Sequence, residues 1–226
     1  MSLQSFIEHE GECILFLGPM FSGKSTRLCG ELTTCADLGH SVLYINHSSD
    51  VRKTEKQDTH VTTHHSSFRA LSDKITKTKI NELELLTYDL NKFDVIGVDE
   101  GQFFSTLETH VRHWVLDLHK IVYIASLDGD FRIQPFGQVH KLLCISSHVL
   151  KLKARCMLCK NHQTANNRPI ITDAYYTGKI GGDMTTIVDV GGEDKYLPVC
   201  LSCHKGIYHE KFSTPAIPIN ISGLSS

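Results

Sequence analysis

Eight consecutive residues near the N-terminus have the composition of a loop that binds phosphate groups. Gly18-Pro19-Met20-Phe21-Ser22-Gly23-Lys24-Ser25 fits G-x-x-x-x-G-K-[ST], and it lies between a strand-like run and a helix pattern. The glycines allow backbone N–H groups to converge on phosphate oxygens, and the following helix adds its positive end. Lys24 would neutralise the β- and γ-phosphates of a nucleoside triphosphate, and Ser25 would place its hydroxyl on Mg²⁺. A glycine-rich turn without a ligand is the alternative, which the flanking strand and helix disfavour.

A second run, FDVIGVDEGQFF at 93–104, is an apolar strand that ends in two carboxylates. Asp99 would hold Mg²⁺, directly or through water. Glu100 follows at once and is the best candidate for a general base, which would take the proton from an attacking hydroxyl or orient a water. Because acidic residues often follow strands, an N-cap or a surface ion pair is the alternative role for Glu100.

Four of the eight cysteines form two C-x₂-C pairs, Cys156/Cys159 and Cys200/Cys203, separated by 40 residues. Four thiolates satisfy Zn²⁺ tetrahedrally and leave no open position, so the predicted metal is structural. A redox C-x-x-C function is the alternative, but it needs only one pair and a thioredoxin-like unit. His162 and His204 are adjacent substitutes that rank below the cysteines.

The remaining cysteines are single: Cys13, Cys29, Cys35 and Cys144 lie in apolar or helical surroundings and are predicted to be small buried side chains.

From Asp50 to about Lys79 the chain is polar and is predicted to be a mobile excursion. Its histidines at 60, 64 and 65 have no carboxylate or thiol at ligand spacing, so a solvated loop is favoured over a metal site.

The elements that would position these groups alternate along the first two-thirds of the chain. Strands buried on both faces are predicted at 13–18, 41–46, 93–100 and 120–129, and helices at 25–39 and 106–120. Such alternation predicts an α/β fold with a parallel sheet and flanking helices, whose ligand site lies beyond the carboxyl ends of the strands.

The composition changes after Leu150 to paired cysteines and glycine pairs, which indicates a separate small lobe. We therefore expect a nucleotide-binding domain at 1–149, a zinc-binding domain at 150–212 and a disordered tail at 213–226.

The overall charge excludes strong nucleic-acid binding by a general basic field, since 23 Lys and Arg against 25 Asp and Glu give a net charge of −2. No apolar run approaches the ~20 residues of a membrane-spanning helix, and the first residues do not form a signal peptide. We expect a cytoplasmic protein with no membrane partner.

Taken together, GPMFSGKST (18–26), DEGQFF (99–104), LDGDFRIQPFG (127–137) and GGEDKYLPVC (191–200), with both cysteine pairs, resemble the type II thymidine kinases. The resemblance runs from about Gly11 to Lys205. It implies transfer of the γ-phosphoryl group of ATP to the 5′-hydroxyl of thymidine with Mg²⁺, on a parallel-sheet core with a zinc-pinned lobe that carries a lasso loop. It further implies a homotetramer and thymidine triphosphate as feedback inhibitor. Trp114 with its neighbouring helix is a candidate for a subunit contact.

The resemblance also assigns site residues. Gly18 to Ser25 would bind the ATP phosphates, Glu100 would accept the proton, and Gln102 would belong to the same site. Asp50 and Arg52 would face the phosphates, with Arg52 stabilising transition-state charge. The implied nucleoside contacts are Phe103, Phe131 and Phe136 around the base, Met20 and Leu127 near the 5-methyl group, Thr177 near the sugar or base, and the lasso residues Ile187, Val188, Asp189, Val190 and Gly191 with Tyr196 on the pyrimidine edge. Core packing is the alternative for the aromatic residues.

This sequence departs from the family pattern in two places. Residues 161–172 are inserted relative to the usual spacing, and Asp130 and Ile133 stand where small or polar residues are commoner. These departures lie near the implied thymidine contacts, so they bear on the selectivity for thymidine and not on kinase activity.

Two other classes of protein carry similar motifs. A zinc-containing nucleic-acid-binding ATPase combines a phosphate loop with a zinc ribbon, but the chain lacks a Lys/Arg cluster. A GTP-dependent switch protein is disfavoured because no N-K-x-D motif occurs in the sequence.

Overall fold

The chain alternates strands and helices through its first two-thirds and then forms a smaller lobe of short strands. The computed structural model describes residues 10–48, 72–159, 171–187 and 194–208, together with the backbone at 60–61 and 69–70. The strands are β1 (Glu12–Leu17), β2 (Val42–His47), β3 (His60–Val61), β4 (Arg69–Ala70), β5 (Thr76–Ile80), β6 (Val95–Asp99), β7 (Ile121–Ser126), β8 (His148–Lys151), β9 (Ala154–Arg155), β10 (Asp173–Ala174), β11 (Tyr176–Lys179) and β12 (Tyr196–Val199). The α-helices are α1 (Lys24–Asp37), α2 (Leu107–Arg112) and α3 (Leu201–Tyr208). Short 3-10 helices cover Leu83–Leu85, Leu90–Lys92, Gly101–Phe103 and Val139–Leu142, and a π-helix covers His113–Asp117.

Within the described ranges, six parallel strands form one sheet in the order β5-β2-β6-β7-β1-β8. Because all of its strands point the same way, the residues that follow β1, β6 and β7 meet at one edge. The predicted α/β architecture is confirmed, with β5 and β8 as edge strands that the hydrophobic pattern did not reveal. β8 extends the sheet to Lys151, two residues past the predicted end of the first domain.

Helices cover both faces of this sheet. Alternate residues of β1, such as Ile14 and Phe16, pack on the α1 side with Leu28 and Leu32, whereas the intervening residues pack on the α2 side. Gly97 of β6 lies directly under α1, since a Cβ atom there would come within 2.3 Å of Leu32 Cδ1. This packing fixes the start of α1 relative to the strand ends.

The second predicted helix is shorter than expected and changes its winding. It begins as α2 and continues as the π-helix through Asp117, where Leu118 N–H donates to the His113 carbonyl. Trp114 in this segment is only 1% exposed and packs in the core, so its side chain is not available for a subunit contact.

The single cysteines do not all behave as predicted. Cys13 and Cys29 are buried as expected, and burial raises the pKa of the Cys13 thiol to about 12. Cys35 is half-buried, and Cys144 is exposed, so the prediction was wrong for Cys144.

The small lobe contains two antiparallel strand pairs, β9 with β10 and β11 with β12. α3 follows β12 and packs against this lobe through Ile207. No helix among the described residues has the length and apolar character needed to span a membrane.

Candidate active site

The loop between β1 and α1 contains two glycines with a positive φ, Gly18 and Gly23. Gly18 has a φ of 149°, and a Cβ atom there would come within 2.5 Å of the Leu152 carbonyl oxygen, so only glycine fits. Gly23 caps the N-terminus of α1 with a φ of 85°, and Arg27 N–H donates to its carbonyl at 2.9 Å. The positive end of α1 therefore opens directly onto the loop.

Side chains of the loop close around the Pro19 carbonyl oxygen. It accepts hydrogen bonds from Ser22 Oγ at 2.8 Å and from Lys24 Nζ at 2.7 Å. The ammonium group is thus held over the loop, where it can meet phosphate oxygens.

Asp99, at the carboxyl end of β6, is 1% exposed and lies beside the loop. Its Oδ1 accepts from Ser25 Oγ at 3.0 Å and from Glu100 N–H at 2.9 Å, and its Oδ2 accepts from the Tyr44 hydroxyl at 3.0 Å. Adjacent ligands of octahedral Mg²⁺ with bonds of ~2.1 Å lie about 3 Å apart. The Ser25 and Asp99 oxygens have that separation, so the two residues fit a shared Mg²⁺.

Glu100 has a left-handed backbone, with a φ of 55°, which is uncommon for a residue with a side chain. Its Oε2 accepts from Gln102 Nε2 at 2.6 Å. Gln102, itself 4% exposed, accepts at Oε1 from Ser126 Oγ at 3.0 Å and from Leu127 N–H at 2.9 Å. The carboxylate is therefore fixed through Gln102 to the end of β7.

The predicted aromatic residues fall into two groups. In the first, the rings of Phe103 and Phe136 meet edge to face with centroids 5.7 Å apart, and His47 lies 5.3 Å from Phe103. Gly137, next to Phe136, has its α-carbon so close to Gln102 that a Cβ atom would lie 2.3 Å from the Gln102 carbonyl oxygen. This first group therefore borders the Glu100–Gln102 pair.

The second group consists of Phe131, Tyr196 and Tyr208, with Met20 packed against it. Phe131 and Tyr208 stack with centroids 6.1 Å apart. Met20 belongs to the phosphate loop, so this group joins the small lobe to the loop.

Thr177, on β11, contacts the phosphate loop directly. Its Oγ1 accepts a hydrogen bond from Met20 N–H at 3.1 Å, although the two residues are 157 positions apart in the chain. The hydroxyl predicted to lie near the sugar or base is thus engaged with the loop backbone.

The four paired cysteines form one cluster whose sulfur atoms all lie within 4.8 Å of one another. Cys159 Sγ lies 3.8 Å from Cys200 Sγ and 3.5 Å from Cys203 Sγ. A disulfide needs ~2.05 Å, whereas thiolates on tetrahedral zinc, with bonds of ~2.3 Å, lie roughly 3.8 Å apart. The spacing fits the predicted structural zinc site.

Cys156 and Cys203 of this cluster differ in how readily their thiols ionise. Burial opposes ionisation of Cys156, but hydrogen bonds from backbone groups of Cys200 and Cys159 outweigh it and lower the pKa of Cys156 to about 7. Burial raises the pKa of Cys203.

His204, next to Cys203, was predicted as a substitute metal ligand. Its Nε2 lies 2.8 Å from the Phe131 carbonyl oxygen, so the ring is a hydrogen-bond partner of the second aromatic group. Burial lowers the pKa of this histidine.

Several predicted site residues lie outside the described part of the chain: Asp50, Arg52, Val188, Asp189, Val190 and Gly191, with His162 and the histidines at 64 and 65. The side chain of His60 belongs with them. Ile187, the first lasso residue, is described and is 42% exposed.

Two residues that hydrogen-bond the side chains of Asp99 and Gln102 were not predicted from the sequence. Tyr44 holds Asp99 and Ser126 holds Gln102, yet both lie in apolar strands and read as core residues. The signal that could have identified them is a hydroxyl group near the carboxyl end of a buried strand. Residues at the carboxyl ends of neighbouring parallel strands lie close together, so such a hydroxyl can reach the site.

Comparison with known proteins agrees with this geometry. Residues 11–204 match the family model described as thymidine kinase. The thymidine kinase of Yaba monkey tumor virus is 35% identical over 191 residues, which cover 84% of this chain and 92% of the relative. Thymidine kinase 1 of Dictyostelium discoideum is 32% identical over 206 residues, covering 90% and 82%, and the thymidine kinase of Choristoneura biennis entomopoxvirus is 31% identical over 191 residues, covering 84% and 94%.

Proposed function

The chain belongs to the thymidine kinase family, and from that premise we propose that it transfers the γ-phosphoryl group of ATP to the 5′-hydroxyl of thymidine. The observation that carries the proposal is that two hydrogen-bonded pairs of residues lie next to each other at one edge of the sheet. Ser25 with Asp99 matches a Mg²⁺ site beside the phosphate loop, and Glu100 with Gln102 follows directly.

The phosphate loop and α1 would bind the triphosphate. Backbone N–H groups of Gly18 to Ser25 would surround the phosphates, and Lys24 would exchange its contact with the Pro19 carbonyl for phosphate oxygens. Ser25 and Asp99 would hold Mg²⁺, which neutralises charge on the phosphates when bound. Asp50 and Arg52 are proposed to face the same phosphates.

Glu100 would be the general base. The 5′-hydroxyl of the nucleoside attacks the γ-phosphorus, the bond to the β–γ bridging oxygen breaks, and the hydroxyl proton passes to the Glu100 carboxylate. ADP leaves with the bridging oxygen. The hydrogen bond from Gln102 supports this role because it fixes the direction of the carboxylate before substrate binds.

Thymidine would bind between the two aromatic groups and the lasso. Phe103, Phe136 and Leu127 border the Glu100–Gln102 pair, and Phe131, Tyr196 and Met20 lie together on the small-lobe side. The segment 187–191 would complete the site through backbone contacts to the pyrimidine edge, which disfavour a base with the wrong donor pattern.

Structural zinc, the remaining cofactor, would be held by the four thiolates and would hold the segments of the small lobe together. We further propose the division into domains at 1–149 and 150–212, a homotetramer, and feedback inhibition by thymidine triphosphate. The cytoplasm, whose reducing conditions keep the four thiols available for zinc, is the proposed location.

The direct test is a nucleoside panel. Purified protein with Mg²⁺ and γ-labelled ATP is offered thymidine, deoxyuridine, deoxycytidine and the ribonucleosides, and labelled monophosphates are separated. We expect thymidine to give the highest kcat/KM. A preference for deoxycytidine would contradict the assigned base contacts, and ATP hydrolysis stimulated by single-stranded DNA but not by thymidine would contradict the kinase assignment.

A further inference from the structure

Four consecutive backbone carbonyls in the turn Asp183–Thr186 accept hydrogen bonds from two cationic side chains. Lys179 Nζ donates to the first and last of these oxygens, at 2.5 and 2.9 Å. Arg132 Nη2 donates to the two between them, at 3.2 and 2.9 Å. Thr186 N–H also donates to the Asp183 carbonyl at 3.3 Å. Carbonyls in a turn lack a neighbouring strand, so the two cations supply the further hydrogen-bond donors.

The turn is also fixed from within. The Asp183 carboxylate accepts hydrogen bonds from Thr185 N–H at 2.8 Å, from the Thr185 hydroxyl at 2.7 Å and from the Thr186 hydroxyl at 2.8 Å. These bonds lower the pKa of Asp183 to about 2, so the carboxylate is ionised throughout the neutral range.

The same two cations lie against aromatic rings of the proposed thymidine site. Lys179 Nζ is 5.2 Å from the Phe131 centroid and 5.6 Å from the Tyr196 centroid, and Arg132 Cζ is 5.1 Å from the Phe131 centroid. These distances fall within the ~6 Å range of cation–π attraction. Lys179 is 0% exposed, so its position is set entirely by the turn and its protein neighbours.

We propose that Arg132 and Lys179 are positioning residues for nucleoside binding, which clamp the turn Asp183–Thr186 against Phe131 and Tyr196. Ile187 follows the turn directly, so the clamp also sets where the lasso starts. This inference rests on the proposed function, because it concerns the binding of thymidine by these residues.

We expect the clamp to affect mainly the affinity for the nucleoside. If loss of a cation leaves the turn and rings correctly placed in only ~10% of molecules, the apparent affinity for the nucleoside falls about tenfold. The contacts described above join both cations to the turn and to the rings of Phe131 and Tyr196, so we expect the affinity for thymidine to change more than the affinity for ATP.

The test compares Arg132→Gln and Lys179→Met with Arg132→Lys in the zinc-containing protein. Arg132 uses a single nitrogen for both carbonyls, so lysine can replace it. We expect the thymidine KM to rise about tenfold in the first two variants, with a much smaller rise in the ATP KM, and to return near the original value in Arg132→Lys. Lys74→Gln, which removes an exposed cation paired with Asp37, is the matched control and should behave as the unaltered protein.

Hydrogen exchange of a peptide covering 179–187 supplies a second readout that does not depend on the substrate. Arg132→Gln, at a half-buried position, keeps the test valid if Lys179→Met fails to fold. Faster exchange in this peptide with retained zinc supports the clamp. Unchanged exchange, or equal rises in the thymidine and ATP KM values, overturns it. If the unaltered protein does not phosphorylate thymidine, the proposed function fails, and exchange alone decides whether the cations hold the turn.

Discussion

Glu100 combines a left-handed backbone with a fixed side chain at the end of β6. A non-glycine residue in this region costs roughly 1–2 kcal/mol, and such strain collects at functional sites. Gln102 holds the carboxylate by a 2.6 Å hydrogen bond and is itself held by Ser126 and Leu127. The residues around Glu100 thus maintain a conformation that its local sequence does not favour, which supports a catalytic role.

Replacing Glu100 by glutamine tests this role with little change in size. The amide cannot take the proton from the 5′-hydroxyl, so kcat should fall by about 10²–10⁴ while the KM for ATP stays near its original value. Steady-state kinetics with thymidine and ATP measure both. Glu108→Gln, on the surface of α2, is the control, and an unchanged kcat in Glu100→Gln would remove Glu100 from the mechanism.

β11 connects the small lobe to the phosphate loop. Thr177 accepts from Met20 N–H, and two residues further along the same strand Lys179 holds the turn Asp183–Thr186. Residues two apart on a strand share a face, so one face of β11 contacts the loop proposed for ATP and the turn next to the proposed thymidine site.

Thr177→Val should weaken ATP binding more than thymidine binding. Valine leaves the half-buried Met20 N–H without its acceptor, a loss worth about 1 kcal/mol, which corresponds to a rise of roughly fivefold in the KM for ATP. Thr177→Ser keeps the hydroxyl and should stay close to the original value. If only the thymidine KM rises in Thr177→Val, the threonine acts on the nucleoside and not on the loop.

The hydrophobic pattern of the sequence predicted the strands that are buried on both faces of the sheet and missed the two strands at its edges. β1, β2, β6 and β7 are continuous apolar runs because both faces of the sheet are covered. β5 has the sequence TKTKI and β8 the sequence HVLK, whose polar residues lie at the partly exposed edges of the sheet and resemble loop composition. The predicted polar excursion was therefore wrong at its end, where Thr76 to Lys79 pair with β2.

Within the candidate site, contiguous motifs were easier to predict than partners from distant strands. Gly18 to Ser25 and the Asp99–Glu100 pair are local in sequence, and the cysteines are marked by their spacing. The proposed role of Arg132 could not be recognised, because the carbonyls that it contacts lie 52 and 53 positions further along the chain.

For the whole molecule, the zinc cluster joins segments that are far apart in the chain. Cys156 and Cys159 follow β9, and Cys200 and Cys203 lie at the start of α3, so the cluster closes the small lobe. The large sheet has its own core on both faces and does not depend on these residues.

Zinc removal should therefore loosen the small lobe and leave the sheet folded. Cys156→Ser should lower bound zinc from one equivalent towards zero, speed hydrogen exchange in β11 and β12, and leave exchange in β1 and β6 slow. Cys144→Ser, at an exposed single cysteine, is the control. Metal analysis that finds no zinc in the unaltered protein would contradict the structural-site assignment.

A crystal structure with thymidine and a non-hydrolysable ATP analogue bound together tests the proposed catalytic arrangement directly. We predict that a Glu100 carboxylate oxygen lies within ~2.6–3.2 Å of the 5′-oxygen, which faces the terminal phosphorus held by the loop from Gly18 to Ser25. A structure in which this carboxylate points away from the nucleoside, or in which no nucleoside lies beside it, would contradict the account.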